Sequence, residues 1–417
     1  MNNPQYPGFF VYRHLGMLYS KIDSPMKVKV QLLLFICLTT LNGQVDYTSQ
    51  IQTIFTNNCT GCHMYGNPSG GLNLTAYSSV MAGGNSGAVI VANDHANSLL
   101  WQKVNTGAMP QDNTALPQSQ IDLIALWINE GALEFPAVVE KTYVPDDNFE
   151  QALIDLGYDD ALDDSVLTAN ISSVTTLNVS NDSISDLTGI ENFTALTNLH
   201  CSYNQLTSLD MSSNTALTFL NCGDNQLTSL DVSSNTALTG LHCRTNQLTS
   251  LDVSANTALT DLDCHYNDLT SLDVSNNTSL TILQCWNNEL TSLDVSANTA
   301  LTRLNFHHNQ LTSLDVSNIL SLELLDCYGN NLTSLDVSNN TALTFLAVGY
   351  NQLDNLDVSN NTALTYLDYQ SNSIDSLDVS NNTVLTHLDC QSNSIDNLDV
   401  SNNTALTFLA VGYNQLD

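Results

Sequence analysis

Leucine recurs every 21 residues over the second half of the chain, from Leu196 to Leu406. Within each interval the half-unit LxxLx(C/V)xxN occurs twice, as between Leu217 and Asn235. A repeat of this period predicts a stacked array, in which each coil buries its apolar side against its neighbours. The nesting of two half-units predicts two strand-like arms per coil, and a variant first coil begins at Val174.

Columns of asparagine and cysteine accompany the leucines. The Asn column from Asn204 to Asn414 is expected to be buried and to satisfy backbone groups at the turns. A second Asn column is broken by Ile319, which is expected to loosen that turn. Phe, Val and Tyr replace Cys in some coils, and parallel strands lie about 4.8 Å apart, which is wider than a disulfide prefers. We therefore predict free, buried thiols at Cys201, Cys222, Cys243, Cys264, Cys285, Cys327 and Cys390.

An aspartate column runs between inward Leu and Val positions, from Asp210 to Asp399. It is predicted to be a solvated edge, and a calcium-loaded ladder is the alternative. The remaining exposed positions vary and include many aromatic and His residues, which suit a protein or glycan ligand; neutral drift is the alternative.

These repeats resemble the nested, Bacteroidetes-type leucine-rich repeat over residues 174–417. The stretch from Tyr143 to Ile190 resembles the cap that precedes such repeats. The resemblance implies a β-rich solenoid, with a cap and first variant repeat at 146–195 and repeats at 196–417. The sequence stops at Asp417 inside a coil, so we expect a C-terminal truncation.

The first half has helical periodicity instead, with apolar Ile51, Ile54 and Phe55 leading into a CxxCH box. Two thiols one helical turn apart can each form a thioether with a haem vinyl group, and the following imidazole can bind the iron. A zinc half-site or a redox dithiol are the alternatives, but no further Cys occurs before residue 201. Cys59, Cys62 and His63 are therefore predicted to hold one covalent haem c.

Met109, which precedes Pro110, is the predicted second axial ligand, because a Met beside Pro lies on a stiff loop. Met81 and His95 are alternative ligands, and a buried loop Met is the structural alternative. Met64 is too close to His63 to reach the opposite face of the haem. Trp127 is expected to pack by the haem edge.

About ninety residues here resemble the planctomycete-type cytochrome c domain. The matching segments are Phe55 to His63, Gly70 to Leu74, Gly83-Gly84, Ser98 to Leu100, Ala108 to Pro110 and Leu126 to Ala132. The resemblance implies an all-α fold, with His63 and Met109 as the axial ligands. Gln111 and the stretch Val91 to Asn93 depart from the family pattern.

A secretory signal is predicted from Met26, where two lysines precede an apolar stretch from Leu32 to Leu41 that is followed by small and polar residues near Gly43. Cys37 suggests a lipoprotein signal as an alternative. The apolar stretch is too short to span a bilayer, so no transmembrane helix is predicted. We expect an exported protein, periplasmic or at the cell surface.

The chain has 8 Lys and Arg against 42 Asp and Glu, giving a net charge of -34. Nucleic-acid binding relies on clustered cations and is therefore not expected. We find no paired carboxylates, nucleophile elbow or catalytic triad in a suitable context, so an enzyme is not predicted.

Together these features predict a multidomain protein, with an N-terminal extension and signal at 1–43, a small all-α cytochrome c domain at 44–135, a linker at 136–145 and then the solenoid. The predicted function is electron transfer with a redox partner protein, the repeats acting as a binding module. A surface adhesion protein with an accessory cytochrome domain is the alternative.

Overall fold

The computed structural model describes residues 44–64, 66, 68–110, 115–135 and 140–416. The predicted export signal, including Met26 and Cys37, lies outside these ranges, as does Gln111. No helix within them is long and apolar enough to cross a membrane. The chain divides into two compact units between residues 139 and 140.

The first unit is helical. Its described residues form the helices α1 (Gln52–Asn58), α2 (Tyr77–Ala82), α3 (Leu99–Asn105) and α4 (Gln118–Asn129). A helical turn at Tyr47–Ile51 leads into α1, and a short helical turn at Ser69–Gly71 lies between α1 and α2. Its core includes Ile51, Phe55, Ile124 and Trp127, each at most 1% exposed.

Helix α4 buries one apolar stripe in the core of this unit. Ile121, Ile124, Trp127 and Ile128 are buried, whereas Leu126 is 44% exposed. A period of 3.6 residues places 127 and 128 on the stripe of 121 and 124, and leaves 126 beside it.

The second unit begins with a cap. Residues 140–145, predicted as linker, belong to it: β1 (Lys141–Tyr143) pairs antiparallel with β2 (Ser165–Leu167). Helix α5 (Asp147–Asp155) starts at Asp146, whose carboxylate accepts from two backbone N–H groups of the first turn. A short helix α6 (Thr168–Ile171) and a turn at Ile190–Asn192 complete the cap.

Twelve parallel strands in sequential order form the solenoid sheet. Each has three residues with a Leu at the centre, which is buried in every strand except the last, where Leu409 is 44% exposed. In-register leucines stack, as Leu220 does with Leu241. The strands are β3 (Thr176–Asn178), β4 (Asn198–His200), β5 (Phe219–Asn221), β6 (Gly240–His242), β7 (Asp261–Asp263), β8 (Ile282–Gln284), β9 (Arg303–Asn305), β10 (Leu324–Asp326), β11 (Phe345–Ala347), β12 (Tyr366–Asp368), β13 (His387–Asp389) and β14 (Phe408–Ala410).

The prediction of a second strand-like arm per coil is wrong for the described residues. That arm contributes only an isolated bridge between Asp210 and Asp231. The carboxylate of each column Asp instead accepts from the backbone N–H of the Ser two residues later, as Asp294 does from Ser296 at 2.9 Å. This local turn competes with strand pairing for a backbone donor.

Buried asparagines tie each coil to the next. Asn288 Nδ2 donates to the carbonyls of Cys264 and Cys285, both at 3.1 Å, and its Oδ1 accepts from Leu269 N at 3.0 Å. In the second column, Asn277 Nδ2 donates to Val253 O and Asn256 O. The predicted Asn ladder is confirmed; it is buried along most of its length and partly exposed at Asn246, Asn372, Asn393 and Asn414.

The interruption at Ile319 changes its turn little. Ile319 is fully buried, and the Leu322 N–H still reaches the Ile319 carbonyl, at 3.3 Å against 3.1 Å for Leu301 to Asn298. The turn persists because Asn340, in the next coil, donates to the Ile319 carbonyl at 2.8 Å.

We predict that Asn288→Ala destabilises the solenoid by about 2–4 kcal/mol, because the buried Leu269 N–H loses its acceptor and two carbonyls each lose a donor. Urea unfolding followed by circular dichroism measures this. Exposed Gln310, whose side chain makes no described hydrogen bond, provides the control: Gln310→Ala should change stability by less than about 0.5 kcal/mol. Equal effects of both substitutions would contradict the role of the ladder.

The predicted free thiols are confirmed in the solenoid, where all seven column cysteines are unpaired and buried. Burial raises the pKa of Cys222 to about 12, so little thiolate forms at neutral pH. We predict that iodoacetamide leaves these seven residues unmodified in the folded protein and alkylates them after denaturation. Peptide mass spectrometry reads this out, and native labelling at Cys222 would show that the column opens.

Candidate functional site

The CxxCH box lies at the carboxyl end of α1. Cys59 caps the helix, and the N–H groups of Cys62 and His63 both donate to its carbonyl, at 3.2 and 3.0 Å. This turn brings the two thiols and the imidazole onto one short stretch of backbone. Burial raises the pKa of the Cys59 thiol to about 11, whereas Cys62 is exposed.

The His63 ring is oriented by a backbone carbonyl. Its Nδ1 lies 3.0 Å from Leu72 O, and because a carbonyl only accepts, Nδ1 carries the proton. The chain is held there by a backbone hydrogen bond from Leu74 N to His63 O at 2.9 Å. In the neutral ring with this tautomer, Nε2 carries the lone pair with which an imidazole binds a metal.

A cavity of about 510 Å³ opens beside the box. Both cysteines and His63 line it, and Met109 lines it from the loop that follows α3. Phe55, Leu72, Leu74, Leu100 and Val104 contribute much of the apolar lining. This volume lies within the usual range of cofactor sites.

The structure brings all four predicted site residues, Cys59, Cys62, His63 and Met109, to this one cavity. The half-buried Met109 is anchored by a hydrogen bond from its N–H to Lys103 O at 3.1 Å. The cavity therefore offers two thiols, an imidazole nitrogen and a thioether sulfur.

The alternative ligands lie elsewhere. Met81 packs against the core, and Met64 is 51% exposed. His95 hydrogen-bonds Asn129 Oδ1 at 2.8 Å and stacks edge-on against Trp101. None of the three lines the cavity.

The expected place of Trp127 beside the haem edge is wrong. Its indole is 1% exposed, packs 5.2 Å from the Tyr47 ring and donates to Leu133 O at 2.8 Å. It does not line the cavity, because the helical period turns it into the core of the first unit.

Sequence reasoning missed two contributions to the cavity. Lys103 lines it with a cation, and Leu72 supplies the carbonyl that orients His63. The position of Lys103 could have been found from the sequence, because this residue lies in the last turn of α3, directly before the loop that carries Met109. The carbonyl of Leu72 has no such signal, because backbone orientation is not encoded in residue type.

The solenoid carries a second candidate surface, the outward side of strands β4 to β14, here called the strand face. Four rings stack along it, Phe345, Tyr366, His387 and Phe408, with centroids 4.1–4.3 Å apart. A second group stacks His265, Trp286 and His307. Burial lowers the pKa of His307 to about 4, so this imidazole is neutral at physiological pH.

The Asp column gives no support to calcium binding. Hydrogen bonds from Ser296 lower the pKa of Asp294, and equivalent bonds act along the column. Across the described ranges, no three His, Cys, Asp or Glu side chains converge as a metal site would require. The carboxylates close local turns.

Two family models match the chain. "Planctomycete cytochrome C" matches residues 59–112, and "Leucine Rich repeats (2 copies)" matches residues 194–235. Internalin J of Listeria monocytogenes is 44% identical over 72 residues, which is 17% of this chain and only 8% of that protein.

Solved structures match the solenoid over a longer stretch. The functional domain of InlJ from Listeria monocytogenes, whose title notes a cysteine ladder, is 43% identical with a TM-score of 0.64, covering 66% of this chain and 63% of that one. An internalin, InlF, from the same species is 24% identical with a TM-score of 0.58, covering 66% and 91%. A leucine-rich repeat protein of Leptospira interrogans is 26% identical with a TM-score of 0.51, covering 55% and 63%. The chain thus joins a segment similar to planctomycete cytochrome C to a leucine-rich repeat solenoid whose fold is similar to that of the InlJ functional domain.

Proposed function

We propose that this chain is an exported c-type haem electron carrier whose solenoid binds a partner and so fixes where the electron is delivered. The observation that carries the proposal is the single cavity lined by Cys59, Cys62, His63 and Met109. The match of residues 59–112 to a cytochrome family supports it.

The donor set fits a covalent haem. The two thiols would form the thioether links, His63 Nε2 and the Met109 sulfur would ligate the iron, and the apolar lining suits a porphyrin. When bound, a haem with His and Met ligands accepts and donates one electron reversibly, at a raised reduction potential.

The remaining residues prepare the site. The Leu72 carbonyl fixes the tautomer and plane of His63. Phe55, Leu100 and Val104 exclude water, which lowers the local dielectric and favours the less charged redox state. Lys103 provides a cation suited to a carboxylate of the bound group.

A surface adhesion or ligand-binding protein with an accessory cytochrome domain is the second candidate. The observation that favours it is the likeness of the long sheet to InlJ over 66% of the chain. In both cases we propose export through the N-terminal signal, to the periplasm or cell surface, and a protein ligand for the strand face. Reversible reduction of the purified protein by dithionite and reoxidation by ferricyanide would support the electron carrier. A redox-silent protein that still binds a ligand would support the second candidate.

We predict that the chain, expressed in a host able to mature cytochromes, gains the mass of one haem and a c-type haemochrome spectrum. Replacing Cys59 and Cys62 together by Ser should abolish the added mass, since both attachment points are lost. Replacing the buried Cys222 and Cys243 by Ser is the control and should leave the haem in place. Colourless wild-type protein without added mass would overturn the electron carrier.

We predict that Met109→Ala keeps the covalent haem and loses the charge-transfer band of a methionine-bound ferric haem. Met81→Ala, which removes a thioether that does not line the cavity, should keep the band. An unchanged spectrum in Met109→Ala, or loss of the band in Met81→Ala, would refute Met109 as the ligand.

A further inference from the structure

The cap of the solenoid encloses one carboxylate completely. Glu150, near the middle of helix α5, is 0% exposed. Its Oε1 atom accepts from the backbone N–H groups of Asp163 and Ser165, at 3.0 and 2.8 Å. The Glu150 carboxylate therefore lies against the loop that connects α5 to β2.

The second oxygen of this carboxylate has no donor. Glu150 Oε2 is buried and makes no hydrogen bond with the residues that the structure describes. A buried carboxylate oxygen without a partner costs free energy, because it has lost its water and gained no hydrogen bond in exchange. The neutral N–H groups at Oε1 thus compensate only one of the two oxygens.

The same loop contains another oxygen of this kind. Asp159 Oδ2 is also buried and has no hydrogen-bond partner among the described residues. Burial raises the pKa of Asp159, and the negative charge of the neighbouring Glu150 raises it further. Glu150 Oε2 and Asp159 Oδ2, here called the orphaned oxygens, therefore belong to two carboxylates that sense each other's charge. One cation would compensate both.

The cap's own cation does not do so. Lys141 is the only Lys or Arg from residue 140 to residue 195. Its Nζ donates to Asp163 Oδ2 at 3.0 Å and to Ser165 Oγ at 2.8 Å. The Lys141 and Asp163 side chains are each about half exposed, so this pair lies at the surface of the loop, whereas Glu150 is fully buried.

The loop offers further oxygen ligands. The backbone carbonyls of residues 159–163 accept none of the hydrogen bonds that the structure describes in the cap. Calcium takes carboxylates, backbone carbonyls and water together, about six to eight oxygens per ion. No third side chain converges on the two carboxylates within the described ranges, so carbonyls and water would complete the coordination.

We propose that the cap binds one calcium ion through Glu150 Oε2, Asp159 Oδ2 and backbone carbonyls of the loop at 159–163. The ion links helix α5 to the loop before β2. Phe149 and Leu153 of the same helix pack into the core that continues into the repeats, so the ion stabilises the cap that begins the solenoid. The site goes beyond the proposed electron transfer, and a chain without haem should bind the ion equally well.

Calcium fits this loop better than magnesium. Magnesium demands near-octahedral geometry and releases its water reluctantly, whereas calcium accepts irregular sets of carbonyls and carboxylates. Two carboxylates and a row of carbonyls on one loop form an irregular set. We therefore expect magnesium to bind at least tenfold more weakly than calcium.

Calorimetric titration of the full haem-loaded chain with Ca²⁺ tests the site. We expect one ion per chain with a Kd of about 10⁻⁴ to 10⁻³ M, the range of extracellular calcium modules. The thermal midpoint should rise with calcium concentration, because only the folded cap brings these ligands together. Glu150→Gln retains an acceptor for Asp163 and Ser165 but removes the charge and one ligand, so its affinity should fall at least tenfold.

Two further variants complete this comparison. Asp159→Asn removes the other orphaned oxygen at a partly exposed position, and should also lose at least tenfold in affinity. It carries the test if Glu150→Gln does not fold, as judged by circular dichroism. Asp147→Asn removes a charge from an exposed position of the same helix and should lose less than twofold.

Terbium luminescence locates the ion independently of these variants. Tb³⁺ takes the same oxygen ligands as calcium, and Tyr158, next to Asp159 in the chain, is placed to transfer excitation energy to it. We expect emission that calcium displaces and that falls at least threefold in Tyr158→Phe. The control Tyr413→Phe, in the last coil, should leave the emission unchanged.

Three results would overturn the site. The first is a parent protein that shows neither calcium heat nor a change in thermal midpoint, which would indicate that the two carboxyl groups share a proton in place of an ion. The second is unchanged calcium affinity in both Glu150→Gln and Asp159→Asn. The third is binding that Glu150→Gln retains and that Asp336→Asn with Asp357→Asn abolishes, which would place the ion on the exposed Asp column.

Discussion

The solenoid depends on satisfying the backbone groups that each coil buries where it turns. The residue before each column Asn has a positive φ, from 49° to 65° where the structure describes the repeats, and most of these residues are not glycine. A left-handed backbone costs a non-glycine residue about 1–2 kcal/mol. Each coil therefore needs an interaction that holds the turn, and Asn supplies it by bonding to two coils at once, as Asn225 does to Cys201 O and Cys222 O. Neither coil satisfies its backbone alone, which makes stacking a condition of folding.

The sequence predicts this part of the structure well because periodicity reports burial directly. The Leu, Asn and Cys columns all lie where their spacing places them. The prediction of a second strand-like arm was wrong for a local reason. The two half-units are alike in their apolar positions, but the second contains an Asp whose carboxylate accepts a backbone N–H two residues later, as Asp294 does from Ser296. This hydrogen bond forms a turn in place of strand pairing. Apolar pattern determines which side is buried, whereas short polar side chains determine whether the backbone is a strand.

The candidate site was predictable in its chemistry and less so in its surroundings. The CxxCH spacing predicts the donors at Cys59, Cys62 and His63, and the sequence also predicts Met109 before Pro110, although 45 residues lie between His63 and Met109. The burial of Trp127 away from the cavity follows from the helical period of α4, which places it beside Ile124 and Ile128. The carbonyl of Leu72 that orients His63 is a backbone atom, so residue type at position 72 carries no trace of that contact.

The strand face shows how a monotonous scaffold acquires specificity. The fold constrains the central Leu of each strand and the Asn of each turn, and leaves the outward positions free to differ. Asp263 and Asp368 occupy equivalent positions, yet the first is paired with His265 and the second only with Gln370. Because the backbone around both is equivalent, the difference in hydrogen-bond partner arises from one side chain two residues later. A stack of equivalent coils can thus place different side chains around the same carboxylate position without any change in the fold that positions them.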